Sequence, residues 1–291
     1  MILGFVLTKL KVIKTSDSTV LSKLSLYLLM PSAILNAFDF EMTENIANGL
    51  VLSFGAAFII HIIYFFLDLG YKKVVTDNSV ERASIMYSNA GNLIIPIVSF
   101  VLGEEWVVYS SAFLSVQLLF LWSHGIKLFS ANEKFSIKKI LLNVNIIAIA
   151  IGVVMMLSGF RLPSFVKDIT SSLGGMLGTV GMLIAGIIAA DIDFKKALRD
   201  KRLYRAGLFR MIIYPIVTFG ILKLLSLIPV VDGGKILLIT YLACITPAAA
   251  TVMQFAQIKE KDADYAAAIN IFTTVAAVLT MPVLVSVFNM V

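Results

Sequence analysis

Long, almost uninterrupted apolar runs dominate the pattern of hydrophobic and polar positions along this chain. Each run lasts about 20 residues, the length that an α-helix needs to cross the hydrocarbon core of a bilayer. The runs lie near residues 20–38, 46–68, 83–102, 106–127, 139–158, 168–190, 206–228, 235–256 and 265–289. Short polar linkers separate them, and none is long enough for a soluble domain. The pattern predicts an all-α integral membrane domain.

Composition agrees with that prediction. Hydrophobic residues make up 59% of the 291 residues and charged residues 14%, whereas a soluble domain is about half apolar and a quarter charged. Cys244 is the single cysteine, so an intramolecular disulfide is excluded and no metal cage is indicated. The apolar fragment 1–8 is too short to cross a bilayer, and no cleavage site follows it. We expect it to be the end of a truncated first helix, which gives ten helices.

Positive charge is concentrated in every second linker. The linkers rich in Lys and Arg are 9–19, 69–82, 128–139, 191–205 and 257–264. The alternate linkers hold only Arg161, Lys167 and Lys235. By the positive-inside rule the basic linkers face the cytoplasm, so both termini lie outside. The net charge of +6 therefore indicates orientation in the membrane and not a nucleic-acid partner.

Ten helices divide into two sets of five, with 1–128 as the first repeat and 139–291 as the second within one domain, 1–291. Because five is odd, the second set must enter the membrane in the opposite orientation. This is the inverted-repeat arrangement of many secondary transporters. Proline stands at matching places in the two sets, as Pro96 in the fourth helix and Pro247 in the ninth.

Both prolines predict broken helices. Proline lacks a backbone donor and clashes with the carbonyl four residues earlier, and in lipid a freed carbonyl is tolerated only where protein or cavity water satisfies it. We therefore predict a substrate-binding site where the two broken helices meet. Its candidate residues are Asn89, Gly91, Asn92, Pro96, Thr246, Pro247, Thr251 and Gln254. The alternative is that the prolines only kink their helices and the amides bridge neighbouring ones.

Three segments carry a resemblance to a known family: "LSKLSLYLLMPSAIL" (21–35), "SNAGNLIIPIVSFVLGEE" (88–105) and "ACITPAAATVMQFAQIKEKDADYAAAINIFTTVAAVLTMPV" (243–283). In this order they are similar to the auxin efflux carrier family, whose bacterial members are malate or other organic-acid permeases. The resemblance implies an inverted repeat in which broken helices 4 and 9 cross. It also implies a scaffold of helices 1, 2, 6 and 7 and a transport domain of helices 3–5 and 8–10. By the same resemblance, Asn89 and Asn92 hold the substrate.

The chain departs from the family pattern at three places. Its first helix is truncated, and the glycine expected just before the fourth-helix proline is replaced by Ile94 or Ile95, which narrows the crossing. The seventh helix lacks a proline near Thr179. The glycines of that helix are Gly174, Gly178 and Gly181. We expect them to permit close helix packing.

The predicted geometry also indicates the substrate. Broken helices present N-terminal ends, each with about half a positive charge and unpaired N–H groups. A carboxylate suits such a site, and neutral Asn, Thr and Gln can bond it without competing charge. We therefore predict a secondary transporter that moves small organic anions across the bacterial cell membrane by alternating access, with no cofactor. The particular acid, the direction, the coupling ion and the choice between monomer and homodimer stay open.

Ionisable side chains inside the spans are few. The carboxylates nearest to the membrane interior are Asp39, Asp68 and Asp191, so no buried carboxylate relay is indicated. His61 is a candidate coupling group, although we favour a neutral imidazole bonded between helices. Arg210 is either an anion-attracting group or a side chain that reaches back to the cytoplasmic surface, and we favour the second interpretation. Interface anchors are predicted at Trp122, His124 and Lys127.

Rival functions are a membrane enzyme, a sensor or channel, and a sodium-coupled organic-anion symporter of the bile-acid type. The motifs H-E-x-x-H, G-x-S-x-G and C-x-x-C are absent, which argues against an enzyme. A sensor would need an output domain. The symporter would place acidic and amide ligands beside the crossing, whereas the sequence offers amides there.

Overall fold

The computed structural model describes residues 1–41, 43–130, 138 and 141–290. Within these residues every regular element is a helix. Six helices are long and apolar enough to cross a membrane, as an all-α membrane protein requires: Thr15–Ala37, Ile46–Val74, Val107–Phe129, Ser164–Ala189, Lys201–Leu225 and Ala263–Met290. Shorter apolar helices span Ala90–Leu102, Val144–Ser158 and Gly233–Ile245.

The helices are numbered in chain order. The first half holds α1 (Ile2–Lys9), α2 (Thr15–Ala37), α3 (Glu44–Val74), α4 (Ser79–Met86), α5 (Ala90–Leu102) and α6 (Val107–Phe129). The second half holds α7 (Val144–Ser158), α8 (Ser164–Ala189), α9 (Phe194–Arg199), α10 (Lys201–Leu225), α11 (Gly233–Ile245), α12 (Ala250–Ile258) and α13 (Ala263–Met290). Single π turns interrupt three of them, at Ser25–Leu29, Leu121–Gly125 and Phe209–Ile213.

Two predicted spans are each formed by a pair of helices. The span near 83–102 is α4 followed by α5, and the span near 235–256 is α11 followed by α12. The prediction that the first interruption lies at Pro96 is wrong, because Pro96 lies within α5 and the chain leaves helical geometry at Tyr87–Asn89. One lost helical hydrogen bond does not end a membrane helix whose other bonds remain. The predicted span 139–158 includes residues outside the described part, and its helix begins at Val144.

Close packing at α8 joins the two halves. This helix lies along α1 and α2 and also contacts α5, α12 and α13. A Cβ added to Gly174 would lie 2.8 Å from the Cα of Ala33, and one added to Gly4 would lie 2.4 Å from the carbonyl of Leu183. Both distances are shorter than van der Waals contact allows, so these helices approach each other only because glycine is present. The predicted close packing at Gly174 is confirmed.

Asp39 ties the chain just after α2 to the linker before α8 and to the first turn of α8. Its carboxylate accepts from Arg161 Nε at 3.0 Å, from Lys167 Nζ at 2.8 Å and from the Leu162 amide at 3.1 Å. Burial alone would raise the pKa of Asp39, but the Lys167 and Leu162 bonds and the Arg161 charge together lower it below the ordinary value. Asp39 therefore remains ionised as the central acceptor of this clamp.

Two buried carboxylates join the helices near the basic linkers. Asp68 accepts two bonds from Arg82, at 2.9 and 2.5 Å, and Glu81 accepts two from Arg205, at 2.7 and 2.9 Å. Two tyrosine hydroxyls complete the shell of Glu81, those of Tyr71 and Tyr265. A buried charge is tolerated when it is paired and hydrogen-bonded in this way. Arg82 and Arg205 therefore have structural partners, beyond the orientation role that the sequence predicts for basic linkers.

Candidate functional site

The two interrupted segments, Tyr87–Asn89 and Thr246–Ala249, contact each other directly, and we call them together the junction. Ser88 and Ala248 form an antiparallel bridge. On either side of it the Asn89 amide donates to the Pro247 carbonyl at 2.8 Å, and the Ala249 amide donates to the Tyr87 carbonyl at 3.0 Å. Backbone groups released by one interruption are thus satisfied by the other.

Local sequence explains the second interruption better than the first. Thr246 precedes Pro247 and is extended, with φ −63° and ψ 158°, because proline disfavours helical geometry in the residue before it. Tyr87 is also extended, with φ −97° and ψ 129°, yet no proline follows it. The first interruption is therefore fixed by its tertiary partners.

The backbone amide and carbonyl of Ser88 and of Ala248 are hydrogen-bonded by side chains of the helix that follows each interruption in the sequence. Gln117 of α6 accepts from the Ser88 amide at 3.1 Å and donates to the Ser88 carbonyl at 3.0 Å. For Ala248, the Thr273 hydroxyl accepts from the amide at 3.1 Å, and the Asn270 side chain donates to the carbonyl at 2.6 Å. Both partners of Ala248 lie on α13. None of these three side chains is among the residues predicted from the sequence, although each is a polar group inside an apolar run.

Arg210 binds the C-terminal ends of two helices at once. Its guanidinium is fully buried. It donates to the Ile85 carbonyl of α4 at 3.2 Å, and to the carbonyls of Cys244, at 2.5 Å, and Thr246, at 2.6 and 3.1 Å, at the end of α11. These are carbonyls that a helix end leaves without a partner, and the cation also opposes the negative end of each helix dipole. The prediction that Arg210 reaches back to the surface is therefore wrong.

Asn89 organises the N-terminal ends of the other two helices. It lies immediately before α5, and its side-chain oxygen accepts from the Ala250 amide at the start of α12, at 3.3 Å, and from Asn92 Nδ2, at 2.9 Å. Asn89 is nearly buried, whereas Asn92 is half-buried and Gly91 is exposed. One amide thus caps the neighbouring helix and orients a second amide beside it.

The helix ends at the junction and the Arg210 side chain together carry a net positive charge. Two negative ends, of α4 and α11, and two positive ends, of α5 and α12, carry about half a charge each and cancel in sum. Arg210 adds one full positive charge, and within the described part of the chain its partners are carbonyls and no carboxylate pairs with it. The side chains at the positive ends are neutral. The arrangement is therefore electropositive and suited to an anion.

α8 covers the amides of the junction. A Cβ added to Gly181 would lie 3.1 Å from Asn92 Nδ2, and one added to Gly178 would lie 3.5 Å from the Asn92 carbonyl. A cavity of about 50 Å³ lies next to Gly91, between α2, α5, α6 and α8. Small-molecule sites usually enclose about 300–1,000 Å³. The site is therefore closed in this conformation.

The structure brings together only part of the predicted set. Asn89, Thr246 and Pro247 lie in the junction, Gly91 and Asn92 lie in the first turn of α5 beside it, and Thr251 is half-buried in the first turn of α12. The Thr246 hydroxyl donates instead to the Ala243 carbonyl of its own helix, at 2.9 Å. Gln254 Nε2 donates to the Ser25 hydroxyl of α2 at 3.1 Å, and Pro96 lies within α5 beyond the interruption. The side chains of Thr246 and Gln254 thus have partners other than Asn89 and Asn92.

His61 is surrounded by aromatic rings inside the bundle. Its Nδ1 bonds the Ala57 carbonyl at 2.7 Å, and the rings of Phe113 and Phe120 lie 5.2 and 5.3 Å from the imidazole. The hydrogen bond is made within α3, so the expectation of a bond between helices is wrong. Another expectation fails at Trp122, which is buried against Phe255 and is no interface anchor.

Comparison with known proteins then identifies the family. A family profile described as membrane transport protein matches residues 1–285, nearly the whole chain. The chain belongs to this family. It is the family of the auxin efflux carriers, so the protein is a multi-pass membrane permease of the secondary-transporter type and not an enzyme. No curated protein matches the chain.

Proposed function

We propose that this member of the membrane transport protein family moves small organic anions, carboxylates such as malate or auxin-like acids, by alternating access at the junction. The supporting observation is the charge arrangement there. The C-terminal helix ends are bound by Arg210, while the N-terminal ends of α5 and α12 meet beside neutral amides. A carboxylate bound between those N-terminal ends would complete the hydrogen bonds and balance the guanidinium charge.

The proposed architecture is a ten-helix inverted repeat whose broken helices, α4–α5 and α11–α12, cross within the bilayer. The matching roles of Gln117 and Asn270 support it. In each half, the helix that follows the broken helix supplies an amide to the central residue of the interruption, Ser88 in one case and Ala248 in the other. Two copies of one five-helix unit would produce this correspondence.

The proposed movement divides the helices into two bodies. α1, α2, α7 and α8 form the scaffold, and the remaining helices form the transport domain. The cavity beside Gly91 lies between these bodies and is too small for a dicarboxylate. Transport therefore requires α8 to separate from Asn92, first toward one face of the membrane and then toward the other. We propose the cell membrane as the location, with both termini outside, from the placement of the basic linkers.

Counterflow in proteoliposomes tests this proposal. Vesicles loaded with unlabelled L-malate, L-lactate or indole-3-acetate are diluted into the labelled acid, and protein-free vesicles correct for passive entry. We expect accumulation of at least one acid by the wild type. The isosteric change Asn92→Asp should abolish it, because the added carboxylate repels the substrate. Asn48→Ala, on an exposed position of α3, is the matched control and should transport normally.

Two outcomes would contradict the assignment. Wild-type counterflow rates in folded Asn92→Asp protein would remove the site from the junction. Failure of every acid in the wild type would remove the substrate class. Running the same assay with and without Na⁺ also tests the bile-acid type of symport, since that alternative requires counterflow that depends on Na⁺.

A further inference from the structure

His124 links a buried carboxylate to the first residue of the junction. It lies in the π turn Leu121–Gly125 of α6. Its Nε2 is 3.3 Å from Asp68 Oδ2, and its Nδ1 is 2.9 Å from the Tyr87 hydroxyl. That hydroxyl is in turn 3.0 Å from the Phe120 carbonyl. His124 is thus no interface anchor, contrary to the sequence prediction, and π turns are common at functional positions.

The chain of contacts requires three protons. They would occupy the bonds from Nε2 to Asp68, between Nδ1 and the Tyr87 oxygen, and from Tyr87 to Phe120. A neutral imidazole and the phenol supply two protons, so one contact would lack its hydrogen. An imidazolium supplies the third: both ring nitrogens then donate, and the Tyr87 hydroxyl is free to donate to the Phe120 carbonyl. The geometry fits the protonated form of His124.

The charged groups around His124 support a site that gains and loses one proton. Asp68, on α3, is 1% exposed and already accepts two bonds from Arg82 of α4. Arg82 also pairs with Asp77 at 2.7 Å, and Asp77 pairs with Lys72 at 3.3 Å near the surface. The Phe65 ring packs against the imidazole at 5.1 Å. Asp68, Arg82, Asp77 and Lys72 together carry no net charge, so a proton on His124 changes the charge of this group of side chains.

Tyr87 connects this proton to the junction. Its carbonyl accepts from the Ala249 amide at the pairing of the two interruptions. Deprotonation of His124 would make the Tyr87 hydroxyl donate to Nδ1 and leave the Phe120 carbonyl without that donor. The rearrangement begins at a residue whose backbone holds both broken helices. The His124 side chain is 13% exposed, so the imidazole is not completely enclosed by protein.

We propose that His124 is a proton-binding site and that substrate movement at the junction is coupled to the proton it carries. The proton binds Nδ1 from water on one side of the membrane, is held between Nδ1 and the Tyr87 oxygen in the closed conformation, and leaves from Nδ1 to water on the other side. The coupling rests on the proposed anion transport. The protonation state of the closed protein does not, and it can be measured without a substrate.

The first experiment is nitrogen NMR of the full chain, labelled with ¹⁵N-histidine, in lipid nanodiscs. The chain has two histidines, so His61→Gln leaves the signals of His124 alone. At pH 7 we expect both ring nitrogens of His124 to carry protons. Tyr87→Phe should leave Nδ1 without its proton, and Tyr204→Phe, the matched control on an exposed tyrosine of α10, should change nothing. A neutral His124 ring in wild-type protein at pH 6 would overturn the proton site.

The second experiment measures coupling with the acid that gives counterflow. A pH-sensitive dye inside the vesicles reports proton movement when that acid is added outside. The wild type should move protons with the acid, while His124→Gln should retain counterflow and lose at least about 90% of the dye response. An unchanged response in His124→Gln, or its loss in His61→Gln instead, would overturn the coupling. Absence of counterflow for every acid would count against the proposed function and leave the NMR result to decide the proton site.

Discussion

The two interruptions of the junction have the same backbone pairing but supply different chemistry. Each contributes one amide and one carbonyl to the pairing between them, and each has its central residue bound by a following helix. Tyr87–Asn89 also contributes the Asn89 side chain, which reaches the start of α12, and it leads directly into Asn92. Thr246–Ala249 offers proline and alanine at the same place.

This difference indicates a division of roles between the two halves. The second interruption acts through its backbone, because Pro247 imposes extended geometry on Thr246 and neither Ala248 nor Ala249 has a polar side chain. The first acts through amide side chains that can turn toward a ligand. In the proposed site, the second interruption therefore positions the backbone and the first recognises the ligand.

The largest effect on stability is expected from substitution of Arg210, whose guanidinium binds the ends of both α4 and α11. Arg210→Met would leave the carbonyls of Ile85, Cys244 and Thr246 without their donor, at a cost of about 1–3 kcal/mol for each buried group. We expect the variant to unfold at much lower temperature, with partial recovery in Arg210→Lys. Arg199→Met, on an exposed arginine of α9, is the control. Equal melting temperatures for Arg210→Met and this control would contradict the capping role.

A second prediction compares the outer partners. Gln117→Leu removes both bonds to the Ser88 backbone and a third bond from the Ser88 hydroxyl, whereas Asn270→Leu and Thr273→Val each remove one bond to Ala248. We expect Gln117→Leu to lower the free energy of unfolding by about 2–4 kcal/mol, and each α13 change by about half as much. Denaturant or thermal unfolding of purified protein measures this. If Asn270→Leu alone costs more than Gln117→Leu, the two interruptions are not held equivalently.

A third prediction separates capping from recognition at Asn89. Asn89→Ala removes the cap on α12, which contributes about 1 kcal/mol, and also the acceptor that orients Asn92. Ala249 is the N-cap residue of α12 and has no side-chain cap of its own. Adding Ala249→Ser to Asn89→Ala should therefore restore thermal stability without restoring counterflow. Recovery of both would show that Asn89 is only structural.

The smallest effect is expected at Gly181 of α8, which lies next to Asn92 and Ala250. A Cβ at Gly181 would lie 3.1 Å from Asn92 Nδ2 but 3.7 Å from the Ala250 Cβ. Gly181→Ala should thus disturb Asn92 more than Ala250 and lower the apparent affinity for the anion a few-fold. Gly175→Ala meets nothing within 4 Å and is the control. A lower melting temperature of Gly181→Ala without any change in affinity would contradict the proposed division of roles between the two interruptions.

Sequence patterns predict the helical class and the long apolar helices, because run length and helix length follow the same physical limit. They also place Pro247 at an interruption. They misplace the other interruption at Pro96, because the extended geometry of Tyr87 depends on Pro247 and Ala249, which lie far away in the chain.

Arg210 could not be assigned from sequence for a related reason. Its acceptors are carbonyls of α4 and α11, and those groups become partners only when two helix ends converge. Gln117 could have been found, since an isolated amide in an apolar run needs a partner. Its target, the backbone of Ser88, is available only because the chain is extended there.

Asn89 both caps α12 and orients Asn92, and this restricts how the permease could change its preferred substrate over evolutionary time. The side chain nearest to the proposed substrate also caps the neighbouring helix, so replacing it would lower stability by about 1 kcal/mol at the same time as it altered selectivity. New preferences would have to come from the surrounding wall, at positions such as Leu177 or Gly181 on α8, where a methyl group added or removed reshapes the space while the supporting amide stays in place.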